Sequence, residues 1–303
     1  MRIIFMGTPE FAVAPLKRLY DDGHDIAGVF TQADKPKNRG MKLSSSPVKE
    51  LALTYETPVY QPSTLKDGAA AEIIRVLGCE LLVVVAYGKI LPKEILVIPP
   101  LGCINIHGSI LPKYRGASPI QHAVLSGEKE TGVTAQFISE EMDAGDIIGI
   151  KKISVEDNET SADLFIRLSD LSAELLSETV KELEQGIVVR KQQNHSNATY
   201  APLLKKDMSP IDWTKNAHFI KCQVRGLIPW PVATMDFNGT TIKVFSVEAN
   251  TKDIDASPGS ILSYGKEGFE VACADGTVLV KEVQPPNGKR MTAADYIRGN
   301  PIK

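Results

Sequence analysis

Short apolar runs alternate with amphipathic segments through the first half of the chain. Apolar runs at residues 2–6, 25–30 and 81–85 predict strands, and apolar positions at helical spacing in residues 69–77 predict a helix. Residues 81–85 are apolar at every position, which is typical of a strand buried on both faces of a parallel sheet. The alternation predicts an open, doubly wound α/β sheet.

Two dipeptides indicate where helices begin in this half. In Thr8-Pro9 and in Ser46-Pro47, a hydroxyl residue precedes a proline, and that order suits a helix cap followed by the first helical position. Further along, residues 161–185 carry leucines on one stripe. They predict one long amphipathic helix.

The pattern changes after residue 202, where helical periodicity mostly ends. Short alternating runs follow, separated by Asn-Gly, Pro-Gly and Asp-Gly turns, and these are typical of closely spaced antiparallel strands. We expect a small OB-like β-barrel in this part. The predicted organisation is a first domain at residues 1–189, a linker at 190–208 and a β-barrel domain at 209–303.

Composition narrows the class of protein. Hydrophobic residues make up 43% and charged residues 23% of the 303 positions, an ordinary globular balance that excludes disorder as the main state. The 34 cationic and 37 acidic residues give a net charge of −3, so a basic field over the whole protein is excluded. The longest apolar run, residues 81–87, is far below the roughly 20 residues that span a bilayer.

The first apolar run and the cysteines indicate where in the cell the protein is expected. The first apolar run lacks a small-residue cleavage site and is interpreted as a first strand, not a signal peptide. Four cysteines are scattered without metal-like spacing, which indicates reduced thiols. We therefore expect a cytoplasmic protein that makes no membrane contact.

Candidate chemistry is concentrated at Asn105 and His107. They lie two residues apart on a short predicted strand and so share one face of it. A carboxamide can donate to a developing oxyanion, and an imidazole can do the same or carry a proton. Downstream, Asp143 lies in an acidic turn and could orient the histidine or accept a proton. The residues alone leave open that His107 is an ordinary strand-end histidine and Asp143 a turn former.

These residues also belong to longer motifs. The motifs are Asn-x-His-x-Ser-x-Leu-Pro at 105–112, Tyr-Arg-Gly-Ala-x-Pro at 114–119, Thr-Gly-Val-Thr at 131–134, Met-Asp-x-Gly-Asp at 142–146, Met-Gly-Thr-Pro-Glu-Phe-Ala at 6–12, and Pro-Trp-Pro at 229–231. Together they resemble the 10-formyltetrahydrofolate-dependent formyltransferase family over essentially the whole chain. The motifs at 6–12 and 229–231 resemble in particular the branch whose acceptor is methionyl initiator tRNA.

The resemblance implies a Rossmann-like formyltransferase fold, a formyl transfer without metal, and roles for single residues. Asn105 and His107 are expected to stabilise the oxyanion, and Asp143 to orient His107 or assist deprotonation of the attacking amine. The formyl donor, 10-formyltetrahydrofolate, is expected beside the loop that follows His107. The residues of that loop assigned to folate binding are Ser109, Ile110, Leu111 and Pro112. Ile110 stands where the family usually has leucine, a volume-conserving difference.

A cationic stretch at residues 35–42 is expected to be a loop because it contains proline and glycine. Charge alone favours an ordinary solvated loop. The resemblance instead implies contact with the tRNA acceptor end. The candidate tRNA-binding residues are Lys35, Lys37, Arg39 and Lys42, with Lys205 and Lys206 near the start of the predicted barrel.

Two other functions compete with transfer to tRNA. A formyltransferase for a small amine, such as glycinamide ribonucleotide or an amino sugar, would share the three polar residues but would need neither the basic loop nor the barrel. A non-catalytic RNA-binding module predicts the loss of at least one of the three, and all are present. The expected partners are methionyl initiator tRNA and folate, with the protein as a monomer.

Overall fold

Residues 1–37 and 42–301 are described by the structure, a computed structural model. The chain divides into two units. The first unit contains Met1–Pro119, Glu130–Ile153 and Phe165–Ala201, and the second contains Ile120–Lys129, Ser154–Leu164 and Pro202–Lys303. The domain boundaries given above stay a prediction.

Strands and helices alternate over most of the chain up to the long helix that ends at Gln185, with consecutive strands at residues 25–44 and 130–154. In chain order they are β1 (Arg2–Gly7), α1 (Val13–Asp21), β2 (Asp25–Phe30), β3 (Lys35–Lys37), β4 (Lys42–Ser44), α2 (Pro47–Thr54), β5 (Val59–Tyr60), α3 (Ala69–Leu77), β6 (Leu81–Val85), α4 (Lys93–Leu96), β7 (Cys103–His107), α5 (Pro119–Leu125), β8 (Glu130–Phe137), β9 (Ile147–Ser154) and α6 (Ser161–Gln185). The remaining elements are α7 (Ala217–Gly226), β10 (Ala233–Phe237), β11 (Thr240–Thr251), β12 (Ile261–Gly265), β13 (Gly268–Cys273), β14 (Gly276–Gln284), β15 (Met291–Thr292) and α8 (Ala293–Gly299).

The first unit is built on a seven-stranded sheet with the order β5-β2-β1-β6-β7-β8-β9. Strand β1 pairs in parallel with β2 and β6, and the parallel pairing continues to β5 on one side and β7 on the other. Strand β8 is antiparallel to β7. The predicted, mostly parallel α/β sheet is confirmed.

Strand β6 explains why this sheet is stable in its interior. All five of its side chains are buried, and its register places Leu82 beside Ile4 on β1. Each fully buried aliphatic side chain contributes about 1.5–3 kcal/mol relative to exposure. The uninterrupted apolar run therefore specifies a strand that lies inside the sheet.

The two predicted helix starts differ in outcome. At α2, the Ser46 hydroxyl accepts a hydrogen bond from the Lys49 backbone N–H at 3.1 Å, as a capping residue does. The prediction for Thr8 was wrong, because the short 3₁₀ helix Glu10–Ala12 is preceded by Pro9 and has no side-chain cap. The Thr8 hydroxyl instead donates to the Tyr87 carbonyl at 3.2 Å.

The register between β7 and β8 gathers polar side chains on one face of the sheet. Asn105 lies opposite Gln136, and His107 lies opposite Thr134. Directly opposite residues of an antiparallel pair share a face, and so do residues two apart on one strand. The four side chains therefore occur on the same face, at the end of β7.

The second unit contains a six-stranded sheet in which β10-β11-β14-β13-β12 are neighbours and β15 pairs with β14. All pairings between its described strands are antiparallel, so the predicted antiparallel β-domain is confirmed. Its core includes the rings of Phe237, Phe269 and Tyr296. Phe237 lies 5.3 Å from each of the other two rings, centroid to centroid.

Candidate active site

His107 is the last residue of β7 and has 6% exposure. Its Nε2 lies 2.9 Å from the Tyr114 carbonyl oxygen. Because a carbonyl oxygen only accepts hydrogen bonds, Nε2 carries a proton and donates it to this contact. The other ring nitrogen, Nδ1, is directed toward the acidic turn.

The structure brings Asp143 to this histidine. Its Oδ1 lies 3.7 Å from His107 Nδ1, within the range of an ion pair but beyond a hydrogen bond. Its Oδ2 accepts a 2.8 Å hydrogen bond from the Gly116 N–H, and Gln136 Nε2 donates to Oδ1 at 3.2 Å. Asp143 has a left-handed backbone with φ of 51°, so the acidic turn is held in an uncommon conformation.

Asn105 lies on the same face and is half-buried. Within the described residues its carboxamide makes no hydrogen bond to the protein. Its N–H donors are therefore available to a substrate oxygen, while those of the neighbouring Gln136 bind Asp143.

The loop after His107 is braced by Thr134, a fully buried residue of β8. The Thr134 hydroxyl donates to the Ser109 carbonyl at 2.7 Å and accepts from the Leu111 N–H at 3.1 Å. The Ser109 hydroxyl donates to the Lys113 carbonyl at 2.6 Å, and the Leu111–Pro112 peptide bond is cis. These contacts hold the loop in shape, and its role in folate binding stays a prediction.

Ile110 and Pro112 are half-buried in the same loop. The Ile110 carbonyl accepts from the Lys113 N–H at 3.2 Å, and the Pro112 carbonyl accepts from Thr199 at 3.3 Å. The four residues predicted to bind folate thus form one loop beside His107.

Two glutamines of this site were not found from the sequence, and Arg115, although part of the motif at 114–119, was given no role. Gln136 and Gln193 are buried, at 2% and 6% exposure, and Arg115 is buried at 1%. Position Gln136 could have been noticed, because Thr134 and Gln136 lie two apart in the chain, with the spacing of Asn105 and His107, and both belong to β8. Gln193 lies in a polar segment without periodicity, where no sequence pattern marks it.

The predicted tRNA-binding residues are distributed over both units. Lys35 in the first unit is exposed and donates to Gln32 Oε1 at 3.0 Å. In the second unit, Lys205 and Lys206 are exposed. Arg39 lies outside the described residues, as do the side chains of Lys37 and Lys42, whose backbones pair across β3 and β4.

The described residues contain neither a membrane-spanning helix nor a group of side chains suited to a metal ion. Over residues 1–37 and 42–301, no helix has both the length and the apolarity to cross a membrane. In the same ranges, no three His, Cys, Asp or Glu side chains are grouped as they would be to hold a metal ion.

Two family models match the chain. The model described as "Formyl transferase" covers residues 1–180, and "Formyl transferase, C-terminal domain" covers residues 203–301. Fold and site thus define the class as a formyltransferase.

Curated relatives narrow the class. The methionyl-tRNA formyltransferase of Clostridioides difficile is 44% identical over 307 residues, which cover 100% of this chain and 98% of the relative. The protein of the same name from Acetivibrio thermocellus is 46% identical over 303 residues, covering 100% and 97%. The chain therefore belongs to the methionyl-tRNA formyltransferase family, and the resemblance found in the motifs is confirmed.

Solved structures share the fold at lower identity. The methionyl-tRNA formyltransferase from Clostridium thermocellum has a TM-score of 0.57 at 20% identity, covering 82% of this chain and 94% of that chain. An N-formyltransferase from Helicobacter canadensis, in complex with folinic acid and dTDP-3-aminofucose, has a TM-score of 0.69 at 18% identity, with coverages of 95% and 99%. HypX from Aquifex aeolicus, in complex with tetrahydrofolic acid, has a TM-score of 0.62 at 18% identity and covers 98% of this chain and 47% of that chain. These three show the common fold alone.

Proposed function

We propose that the chain transfers the formyl group of 10-formyltetrahydrofolate to the α-amine of methionyl initiator tRNA. One observation carries the proposal: Asp143 Oδ1 lies 3.7 Å from Nδ1 of His107. His107 ends the strand β7, which also presents Asn105. Relatives that are 44–46% identical over the full length bear the corresponding name. The product is the formylated methionyl-tRNA that begins translation.

Asn105 supplies a donor for the oxyanion. When the amine attacks the formyl carbon, negative charge develops on the formyl oxygen, and a positioned N–H stabilises it. The Asn105 carboxamide has no hydrogen bond within the described part of the protein, so donating to the oxyanion breaks no existing contact. Because the negative charge develops only as the amine attacks, this hydrogen bond is stronger in the transition state than in the bound substrate.

His107 and Asp143 handle the proton of the attacking amine. Nε2 of His107 already donates to the Tyr114 carbonyl, so Nδ1 is the nitrogen that can accept a proton. A proton on Nδ1 faces the Asp143 carboxylate at 3.7 Å, and the opposite charges stabilise each other in this largely buried site. The same pair can return the proton to the departing folate nitrogen.

The two substrates are held by different parts of the chain in this proposal. The loop at residues 109–112 binds the formyl donor beside His107. The cationic residues around Lys35, and Lys205 with Lys206 in the second unit, bind phosphates of the tRNA. Holding the amine and the formyl carbon together supplies a large part of the rate.

A small amine is the competing acceptor. The solved formyltransferases whose names include a sugar are only 18–19% identical to this chain, and they share its fold. No observation at the site of this chain favours a small amine over methionyl-tRNA.

The test measures formyl transfer from 10-formyltetrahydrofolate to three acceptors: initiator methionyl-tRNA, elongator methionyl-tRNA and a free methionyl ester. We expect efficient transfer to initiator methionyl-tRNA only. The double variant Lys35→Ala/Arg39→Ala should lose that preference and still bind folate. If no methionyl acceptor is used while an amino sugar nucleotide is formylated, the proposal is wrong and the small-amine function is correct.

The proposal includes a cytoplasmic monomer. Sedimentation of the purified protein, alone and with tRNA, tests the monomeric state. A mass of about 33 kDa for the free protein supports it, and a dimer that persists at low concentration contradicts it.

A further inference from the structure

Tyr114 and Gly116, on either side of Arg115, contact the catalytic pair from one short segment. The Tyr114 carbonyl accepts from His107 Nε2 at 2.9 Å, and the Gly116 N–H donates to Asp143 Oδ2 at 2.8 Å. Any shift of this segment moves the partners of both catalytic side chains together. The residue between them, Arg115, has the third contact to the same region.

The Arg115 guanidinium is buried at 1% exposure and has defined partners. Its Nη2 and Nε donate to Gln193 Oε1 at 2.8 and 3.3 Å, and Nη2 also donates to His195 Nδ1 at 3.2 Å. Its Nη1 lies 3.4 Å from the carboxylate of Glu141. Because a guanidinium only donates, the oxygen of the Gln193 amide must face Arg115. The Gln193 NH₂ group then faces the acidic turn.

Gln193 binds the backbone of that turn. Its Nε2 donates to the carbonyls of Asp143 and Gly145 at 2.8 Å each, and it lies 3.2 Å from Gln136 Oε1. Gln136 in turn donates to the Asp143 carboxylate. Gln193 therefore contacts Asp143 twice: directly at its main chain, and through Gln136 at its side chain.

These contacts act on a residue in an uncommon backbone conformation. The φ of 51° at Asp143 lies in the left-handed region, which is uncommon outside glycine even though aspartate adopts it more readily than most residues, and surrounding contacts help to keep it there. Removing the donors of Gln193 frees the turn to relax, and relaxation turns the carboxylate away from His107. A displacement of about 1 Å in a catalytic group can cost about 100-fold in rate.

We infer that Gln193, oriented by Arg115, is a positioning residue of the transfer reaction: it holds the Asp143 turn so that the carboxylate faces His107. The inference rests on the proposed function only through the roles of His107 and Asp143. It gives a function to the polar segment after α6, in which Gln193 is the buried residue that reaches the site.

Two substitutions distinguish the role of the Gln193 amide oxygen from that of its NH₂ group. Gln193→Leu removes both its donors and its acceptor. Gln193→Glu keeps an acceptor for Arg115 and loses the donors to Asp143 and Gly145. The matched control is Gln223→Leu in the second unit, because Gln223 is also buried, at 8% exposure, and donates to two carbonyls, those of Met208 and Pro210.

The first measurement is kcat and KM for formyl transfer to methionyl-tRNA, with thermal unfolding of each variant. We expect Gln193→Leu and Gln193→Glu to lower kcat by about 100-fold, with little change in KM for the formyl donor or in KM for methionyl-tRNA. Gln223→Leu should lose stability and keep the wild-type kcat. Wild-type kcat in Gln193→Glu overturns the inference, because Gln193 would then serve only to pair Arg115. Should Gln193→Leu fail to fold, Gln193→Glu still decides.

The second measurement needs no substrate. The ¹⁵N chemical shifts of the His107 ring at fixed pH report its electrostatic surroundings, and His107→Gln identifies the signal among the five histidines. We expect Gln193→Leu, which adds no charge, to move these shifts in the direction produced by Asp143→Asn, and Gln223→Leu to leave them unchanged. Unmoved shifts overturn the inference. If the wild type formylates no methionyl-tRNA, the proposed function fails, and these shifts still decide the role of Gln193.

Discussion

Thr134 lies opposite His107 in the pairing of β7 and β8, and its hydroxyl binds both Ser109 and Leu111 in the loop that follows the histidine. One buried hydroxyl thus connects the catalytic strand end to the predicted folate loop. The strand register and the loop conformation depend on the same residue.

Thr134→Val keeps the shape of this side chain and removes its hydroxyl. The substitution leaves the Ser109 carbonyl and the Leu111 N–H without their partner, and an unsatisfied buried group costs about 1–3 kcal/mol. We expect the free energy of unfolding to fall by about 2 kcal/mol and KM for the formyl donor to rise, measured by denaturant unfolding and initial rates. Thr134→Ser is the control, and equal losses in both variants would contradict a role for the hydroxyl.

Asn105→Ala should lower kcat with little effect on folate affinity. Loss of one oxyanion donor costs about 100- to 1,000-fold in kcat in enzymes with such a site. Asn105→Asp should be at least as impaired, because its carboxylate repels the oxyanion. Steady-state rates and titration of the folate check both, and an Asn105→Ala variant that loses folate affinity instead of kcat would assign the residue to binding.

Lys35→Ala should lower the affinity for tRNA and make that affinity less dependent on salt. Loss of one phosphate contact reduces the slope of log affinity against log salt by about 1, and KM for the formyl donor should not change. Lys17→Ala removes an equal charge from an exposed lysine paired with Asp21 and serves as the control. Equal effects of the two variants on KM for tRNA would indicate a general charge effect.

The cysteines should be unreactive in the folded protein. All four are buried and free. Burial raises the pKa of Cys79 to about 11 and that of Cys103 to about 12, so at pH 8 both are thiols, and the thiolate is the reactive form. We expect slow reaction with a thiol reagent at pH 8 and four equivalents after unfolding. A fast phase that disappears in Cys103→Ser would contradict this.

Gly145→Ala tests the close approach behind Asp143. A Cβ at Gly145 would lie 1.8 Å from the Phe137 carbonyl oxygen, so the turn must shift. We expect a stability loss of about 3 kcal/mol and strongly reduced kcat. Gly265→Ala, where a Cβ meets nothing within 4 Å, should show neither effect. Normal kcat in a folded Gly145→Ala would mean that the turn position is not critical.

Local sequence patterns predict the strands and helices well where burial is one-sided or complete. The run at β6 and the leucine stripe of α6 are examples, because both patterns follow directly from which faces are buried. The paired strands β3 and β4 were missed, since their residues carry charge and proline instead of an alternating pattern. Helix α8 was missed as well, although its cap, Thr292, accepts from the Asp295 N–H in the usual way.

The site was predictable only in part. Spacing on one strand indicated that Asn105 and His107 share a face, and the register of β7 confirms that geometry. Asp143 was assigned by motif, because nothing local shows that a distant turn meets a strand end. Gln193 lies 50 residues beyond Asp143, whose carbonyl it binds. Such a contact depends on long-range packing, which a single sequence does not display.

The segment that follows α6 sets the minimum size of a working catalytic fragment. Arg115 exchanges backbone hydrogen bonds with Thr199 and Ala201 at 2.8 and 2.7 Å, and its side chain binds Gln193. A fragment cut at residue 189 would leave these partners behind and expose a guanidinium that is buried in the whole chain. A fragment extended through residue 201 keeps these partners and every residue of the first unit, so Pro202–Lys303 could be exchanged while Ile120–Lys129 and Ser154–Leu164 of the second unit stay with the catalytic scaffold.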